Sequence, residues 1–102
     1  MLQLIVYVPA SHVETVKTAL FQAGAGRYQH YDSCCFATSG QGQFRPLSGS
    51  QPFLGQQDKI EQVDEVKLEM ICEDSLQTAL REALLTSHPY ETPAYLFNAN
   101  NG

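Results

Sequence analysis

The chain has 102 residues, a length that supports one hydrophobic core and predicts a single domain spanning residues 1–102. Its formal net charge of −5 argues against a nucleic acid or an anionic membrane surface as partner. No apolar run approaches the roughly 20 residues of a transmembrane helix. The amino terminus lacks the pattern of a signal peptide, and the three cysteines show no Cys-x-x-Cys spacing. We therefore expect a cytoplasmic protein without a disulfide framework, a structural zinc site or a cofactor.

The amino-terminal part of the sequence predicts a strand, a helix and a second strand. Residues 2–8 alternate apolar and other side chains with the period of a half-buried strand. Ser11 and Glu14 have the spacing of a capping box, which predicts a helix near residues 12–23 with Ser11 as its N-cap. Residues 31–38 alternate again and predict the second strand.

The second half repeats this order after an irregular segment. Residues 39–57 are rich in glycine and proline but carry several large apolar side chains, which favours a structured arm or a long hairpin. Alternation over residues 66–72 predicts a third strand with one solvated face. Asp74 is placed to cap a helix near residues 75–87, and a short last strand is expected at residues 94–97.

Two strand–helix–strand units in the order βαββαβ predict an α+β fold, the ferredoxin-like plait. In this architecture both helices cover one face of a four-stranded antiparallel sheet. The opposite face is expected to carry apolar side chains without a covering helix, and such surfaces usually associate with another chain. The candidates for this face are Ile5, Tyr7, Ile71 and Tyr95.

The motif Ser87-His88-Pro89-Tyr90-Glu91-Thr92-Pro93 places an imidazole, a phenol and a carboxylate between two prolines. A residue before proline is disfavoured in the helical conformation, so His88 is expected to end the helix and to bond its last free carbonyls. Tyr90 and Glu91 would then fix the turn or reach a neighbouring subunit. The alternative is that His88 and Glu91 contact a ligand in a shared cleft. The structural interpretation is favoured, and the ligand-contacting one stays open.

Residues 40–46 form the second candidate region. Gly40-Gln41-Gly42 favours a glycine-enabled bend in the hairpin over an anion-binding loop, because no Lys-Ser/Thr follows it. Phe44 and Arg45 are of the types enriched in interfaces. We therefore hypothesise a cleft where residues 40–46 of one subunit approach His88–Glu91 of another, with Arg45 complementing Glu91 or an anionic ligand.

Many of these segments together resemble a known domain. The chain is similar, from about residue 4 to residue 97, to the domain inserted into Nif-three-like (YqfO-type) proteins. The segments that carry the resemblance are Gly24-Ala25-Gly26, Tyr31, Cys34-Cys35-Phe36, residues 40–46, Gly49-Ser50-Gln51-Pro52, Gly55, residues 65–69 and residues 88–95. The dimetal-binding core that flanks this domain in the larger proteins has no counterpart among these residues, so the resemblance implies no enzymatic activity here.

The His-Pro-Tyr-x-Thr-Pro pattern at residues 88–93 also resembles CutA and, more broadly, the PII signalling proteins. Ala94 stands where CutA proteins carry a glutamate considered a copper ligand. The resemblance implies a homo-oligomer, most simply a trimer, that acts as a non-catalytic regulatory or ligand-sensing module with a protein partner or small ligand. The alternative is a divalent-metal-binding protein for copper or zinc that uses His88, Glu91 or Cys34.

Overall fold

The computed structural model describes residues 1–99 and forms one antiparallel sheet with two α-helices. The strands are β1 (Leu2–Pro9), β2 (Phe36–Phe44), β3 (Glu61–Cys72) and β4 (Tyr95–Ala99), and the helices are α1 (Val13–Gln22) and α2 (Gln77–Ser87). The strand order is β2-β3-β1-β4, with antiparallel pairing throughout. The predicted βαββαβ plait is confirmed. No helix among residues 1–99 is long and apolar enough to cross a membrane.

The core lies between the two helices and one face of the sheet. Alternate residues of β1 are buried, as their period predicts, and β3 presents its own alternate residues to the same side. Both helices add a stripe of apolar residues at helical spacing. Each fully buried Leu or Val contributes about 1.5–3 kcal/mol relative to an exposed one. The buried core residues are Leu2, Leu4, Val6, Val8, Val16, Leu20, Ala25, Leu68, Met70, Cys72, Leu80 and Leu84.

The predicted helix caps are wrong. Each α-helix is preceded by one turn of 3-10 helix, at Ala10–His12 and at Asp74–Leu76, so α1 begins at Val13 and α2 at Gln77. The Ser11 hydroxyl lies 2.8 Å from His12 Nδ1 instead of bonding a helix N–H. Glu14 pairs with Lys17 at 3.2 Å and does not reach back to close a capping box. A 3-10 turn bonds its own amides, which removes the need for a side-chain cap.

The second strand begins later than predicted. Residues 31–35 lie outside β2, because Gln29 and Ser33 adopt positive φ angles of 55° and 56°, which interrupt an extended chain. Gly26 joins this segment to the sheet by two backbone hydrogen bonds. Its amide donates to the Ile71 carbonyl of β3 at 2.8 Å, and its carbonyl accepts from the Cys34 amide at 2.8 Å. Gly26 has a φ of +76°, and a Cβ there would lie 2.7 Å from the Cys34 oxygen. The close approach therefore requires glycine.

The Gly40-Gln41-Gly42 segment is not a bend but part of β2. Gly40 pairs with Glu65 and Gly42 pairs with Val63, so β2 and β3 form a hairpin longer than either predicted strand. The carboxylate of Glu65 lies over Gly42, where any Cβ would collide with it. The same carboxylate accepts a 2.7 Å hydrogen bond from the Tyr90 hydroxyl. Gly42 therefore provides the space in which Glu65 reaches Tyr90.

The open face of the sheet carries Ile5, Tyr7 and Ile71 as predicted, but the assignment of Tyr95 to this face is wrong. Tyr95 pairs with Val6 of β1, and paired residues share a face, so Tyr95 packs against the core. Its neighbour Leu96 pairs with Ile5 and is 56% exposed on the open face. The prediction thus assigned Tyr95 to the wrong face of the short β4, because adjacent residues of a strand lie on opposite faces.

His88 attaches the turn after α2 to the central strand β1. Its side chain is buried, and its Nε2–H donates to the Tyr7 carbonyl at 2.7 Å while Nδ1 accepts from the Tyr90 amide at 3.1 Å. This pattern corresponds to the neutral tautomer with the proton on Nε2. Burial lowers the pKa of His88, outweighing the bond to Tyr7, which raises it. The predicted contact of the imidazole with the last helix carbonyls is therefore wrong; the His88 amide, not its ring, bonds the Leu84 carbonyl.

Replacing Gly42 by alanine should destabilise the chain, because the new Cβ displaces the Glu65 carboxylate and breaks its bond to Tyr90. We expect the free energy of unfolding, measured with urea, to fall by about 1 kcal/mol. Gly40→Ala is the matched control. Gly40 lies on the same face of β2, and a Cβ at Gly40 would meet no described atom within 4 Å, so Gly40→Ala should leave the free energy of unfolding unchanged. Equal losses for the two variants would contradict the role given to Gly42.

The stability of the chain should depend on the protonation of His88. Because the folded-state pKa is lowered, the unfolded chain binds more protons as the pH falls through about 6.5, so the free energy of unfolding decreases below that pH and levels off below the folded-state pKa. His88→Gln keeps a side-chain N–H for the Tyr7 carbonyl but does not titrate. Urea unfolding between about pH 7 and pH 5 should therefore show a flatter profile for His88→Gln than for the parent chain.

The control is His30→Gln, which makes the same chemical change at an exposed histidine outside the contacts with Tyr7 and Tyr90. A parent chain and a His88→Gln variant with parallel profiles would contradict a neutral, buried His88.

Candidate functional site

A cleft of ≈ 260 Å³ opens where the loop between β2 and β3 meets the turn after α2. Its floor comes from Tyr7 of β1 and Glu65 of β3, which both lie on the open face of the sheet. The remaining lining residues come from the end of β2, from the β2–β3 loop (residues 45–60) and from the turn. They are Gln43, Phe44, Pro46, Ser50, Pro52, Phe53, Leu54, Tyr90, Glu91, Thr92 and Ala94.

Aromatic rings form the apolar part of this cleft. The Tyr90 ring lies 5.9 Å from Phe44 and 6.4 Å from Phe53 between centroids, both in tilted arrangements. These distances lie within the range at which aromatic pairs attract each other. On its other side Tyr90 lies 4.9 Å from the His88 ring. The buried histidine, which does not line the cleft, therefore packs against the same ring as the two phenylalanines that do.

Two carboxylates give the cleft its polar character. Glu65 accepts the Tyr90 hydroxyl, and partial burial together with this bond raises the pKa of the Tyr90 phenol. The phenol therefore stays protonated and keeps donating at neutral pH. Glu91 is exposed, and its Oε2 accepts a 3.1 Å hydrogen bond from the Gln51 amide. Each carboxylate thus has a fixed position and lone pairs left for a further donor.

The β2–β3 loop is held over the sheet by few contacts. The Gln51 amide bonds Glu91, and the Phe53 ring meets His12 edge-on at 5.3 Å between centroids. The Asp58 amide bonds the Pro46 carbonyl at 2.7 Å and closes the base of the loop. These contacts join the loop to the turn after α2 and to the residues that follow β1.

The structure brings only some of the predicted site residues together. Phe44, Tyr90 and Glu91 line the cleft, whereas Gly40, Gly42, Arg45 and His88 do not. Gly42 and His88 instead position Glu65 and Tyr90. Whether any of these residues contacts a ligand stays a prediction.

The two segments that we expected to meet across a subunit boundary meet within one chain. Phe44 packs against Tyr90, so residues 40–46 and 88–91 share a wall of the same cleft. The expected pairing of Arg45 with Glu91 is not formed within the described chain. Arg45 is exposed, and Glu91 bonds the Gln51 amide.

Sequence reasoning overlooked Tyr7 and Glu65 as parts of the site. Tyr7 was assigned to an apolar surface, and Glu65 was one of seven acidic residues between Asp58 and Asp74. The signal that distinguishes Glu65 is the pair Gly40 and Gly42 on the neighbouring strand. Glycine inside a strand often marks a close approach by another group.

The described residues contain no group of three or more His, Cys, Asp or Glu side chains placed to hold a metal ion. Both ring nitrogens of His88 are already bonded, and the Cys34 thiol lies 3.6 Å from the Asp32 carbonyl. Metal binding by these residues within one chain would first have to break those contacts.

Comparison with known proteins identifies relatives of nearly the whole chain. No model of a known protein family matches. The GTP cyclohydrolase 1 type 2 homolog of Bacillus subtilis is 44% identical over 93 residues, which are 91% of this chain and 25% of that protein. The chain therefore spans about a quarter of the length of the curated relatives it matches.

Solved structures agree with this relationship. The Bacillus cereus protein related to NIF3 superimposes with a TM-score of 0.84 at 37% identity, over 99% of this chain and 26% of that one. CutA1 from Pyrococcus horikoshii has a TM-score of 0.69 at 20% identity, and the match covers 100% of this chain and 85% of CutA1. The second likeness concerns the fold alone. Together they confirm the resemblance inferred from the sequence: the chain is a homologue of the inserted region that makes up about a quarter of the GTP cyclohydrolase 1 type 2 homologs, and it has a CutA/PII-like fold.

Proposed function

We propose that this chain is a non-catalytic, oligomeric regulatory module that senses a small ligand in the cleft between the β2–β3 loop and the turn after α2. The observation that carries the proposal is the cleft itself, in which Tyr90 is fixed by Glu65 and flanked by Phe44 and Phe53. An apolar concave site with a few fixed polar groups is the usual form of a small-molecule site. In a cytoplasmic setting, a bound ligand would tie the loop to the sheet.

The chemistry of the cleft supports binding over catalysis. Ser50 lines the cleft, but its hydroxyl donates to the Leu47 carbonyl at 2.6 Å. His88 uses both ring nitrogens within the fold, and the cleft-lining residues include no cysteine. The Tyr90 hydroxyl does donate to Glu65, but partial burial and this bond raise the pKa of the phenol, so the pair keeps Tyr90 protonated and does not activate it as a nucleophile.

The exposed apolar side chains on the open sheet face support self-association. Phe36 and Leu96 lie on this face and are 67% and 56% exposed. Large exposed apolar side chains on one sheet face are typical of an interface between protein chains. The resemblance to CutA and PII proteins favours a trimer. A protein partner would then bind the trimer differently when ligand in the cleft changes the position of the β2–β3 loop.

Ligand binding is tested by adding fractionated small molecules from a cell extract to ¹⁵N-labelled protein. We expect a fraction to shift the amide signals of Phe53, Tyr90 and Glu91 in NMR spectra. Ala94→Phe fills the cleft and should abolish the response, because Ala94 is exposed and lines it. Ala79→Phe, at an exposed position of α2, is the matched control and should respond like the parent chain.

A calorimetric titration with Cu(II) and Zn(II) separates this proposal from the metal-binding alternative. Tight binding of either ion, together with no response to any small-molecule fraction, would reject the sensing module.

Oligomerisation is tested by light scattering after gel filtration at micromolar concentration. We expect the mass of a trimer, and we expect Leu96→Glu to dissociate it by placing a charge on the open face. Leu85→Glu is the control, since Leu85 is 49% exposed but lies on α2 on the other side of the sheet. A monomeric parent chain would contradict the proposal, whereas a dimer would retain the interface and reject the trimer.

A further inference from the structure

The charge of the cleft lining restricts what the cleft can bind. Among the described residues that line it, two are acidic, Glu65 and Glu91, and none is a lysine or an arginine. The whole chain carries a formal net charge of −5, so its overall field also favours a cation over an anion. An anionic ligand would be repelled at close range, while a cation would be attracted.

The aromatic residues favour the same kind of occupant. Tyr7, Phe44, Phe53 and Tyr90 all contribute to the lining. The faces of aromatic rings carry partial negative charge and attract organic cations, and clustered rings are the usual recognition element for ammonium groups. Carboxylates beside rings add a Coulomb attraction and hydrogen-bond acceptors. Aromatic and acidic groups therefore select for one ligand class, a cation with an apolar body.

The size of the cleft limits that body. At ≈ 260 Å³ the cleft lies slightly below the roughly 300–1,000 Å³ of drug-sized ligand pockets. This volume suits a single ring or short alkyl group with an attached ammonium. Pro46, Pro52 and Leu54 provide the apolar surface against which such a group packs.

We propose that the cleft binds a small organic cation, an ammonium compound with an aromatic or compact apolar group, whose charge is received by Glu65 and Glu91. This inference rests on the proposed ligand-sensing function and specifies its ligand class. The apolar group lies between Phe44, Phe53 and Tyr90, and the ammonium faces the carboxylates. Bound in this way, the ligand contacts the sheet, the turn after α2 and the β2–β3 loop at once.

The test uses three probes of similar shape and different charge: phenethylammonium, 2-phenylethanol and phenylacetate. Binding is followed by the NMR shifts of the Tyr90 and Glu91 amides in the full chain at low and high salt. We expect phenethylammonium to bind most tightly, by about tenfold over the alcohol, and phenylacetate to bind most weakly. Added salt should reduce the difference, because the attraction is electrostatic.

Charge-removing variants locate the effect. Glu65→Gln and Glu91→Gln each keep an oxygen that accepts the Tyr90 hydroxyl or the Gln51 amide, so the fold contacts survive. Each should weaken phenethylammonium several-fold, about threefold or more, and weaken 2-phenylethanol by a smaller factor. Asp64→Asn removes the same charge from the adjacent position of β3, which does not line the cleft, and should have little effect.

Three outcomes would overturn the inference: phenylacetate binding as tightly as phenethylammonium, equal effects of Glu65→Gln and Asp64→Asn, or no probe shifting the cleft amides. Tighter binding of N-acetyl-lysinamide than of phenethylammonium would also overturn it, in favour of a lysine side chain of a protein. An anionic or neutral compound from the extract screen that shifts these amides would reject the cation and keep the sensing function. An extract screen in which no fraction shifts these amides would reject both the ligand-sensing function and the organic cation as its ligand.

Discussion

The hydrogen bonds of the buried His88 imidazole join the turn after α2 to the central strand of the sheet, and the cleft depends on this junction. The ring bonds the Tyr7 carbonyl on one side and the Tyr90 amide on the other, and the Tyr7 amide bonds the Ala94 carbonyl at 3.1 Å. A buried imidazole without partners would cost about 1–3 kcal/mol per unsatisfied group. Both ring nitrogens have hydrogen-bond partners only when Tyr7 and Tyr90 occupy these positions. The hydrogen bonding of the His88 ring therefore positions two residues that line the cleft.

A second constraint acts from the neighbouring strands. Glu65 reaches Tyr90 across the open face only because Gly42 has no side chain in its path. Tyr90 is then fixed at two points: its hydroxyl donates to Glu65, and its backbone amide donates to the His88 ring. The Phe44 ring packs beside it. A glycine, a carboxylate and an imidazole on three different elements therefore orient one phenol. Positioning of this kind is what distinguishes a prepared binding surface from an accidental cleft.

The sequence predicted the fold well because most of its elements have a clear period. Residues 2–8 and 66–72 alternate, so the core-facing sides of β1 and β3 follow from the local pattern alone. The second strand was misplaced because its pairing partner, β3, compensates for the low strand propensity of Gly40 and Gly42. Tyr95 was misassigned because β4 is too short for its alternation to show which face is buried.

The site was harder to predict, because its residues come together only through tertiary structure. Phe44, Tyr90 and Glu91 were singled out as unusual residues in irregular segments, but nothing local indicated that Tyr7 and Glu65 would lie between them. Contacts between residues far apart in sequence, such as Tyr90 with Glu65, depend on strand register, which short-range patterns do not report. The glycines opposite Glu65 were visible in the sequence, but their meaning required the pairing of β2 with β3.

The structural and the ligand-binding interpretations of the Ser87–Pro93 motif are compatible, since different residues serve each. His88 is used entirely by the fold, whereas Tyr90 and Glu91 are held by the fold and still face the cleft. The two walls of the cleft are also held unequally. Tyr7, Glu65 and Tyr90 are held by the strand pairing of β1 and β3 and by three side-chain hydrogen bonds, His88–Tyr7, His88–Tyr90 and Tyr90–Glu65. The β2–β3 loop is joined to this wall mainly by the Gln51–Glu91 bond and by the Phe53 ring. Segments with few buried contacts open at low free energy. A ligand that packs against Phe53 would therefore stabilise the loop more than the sheet, which is how occupancy of the cleft would become visible to a partner.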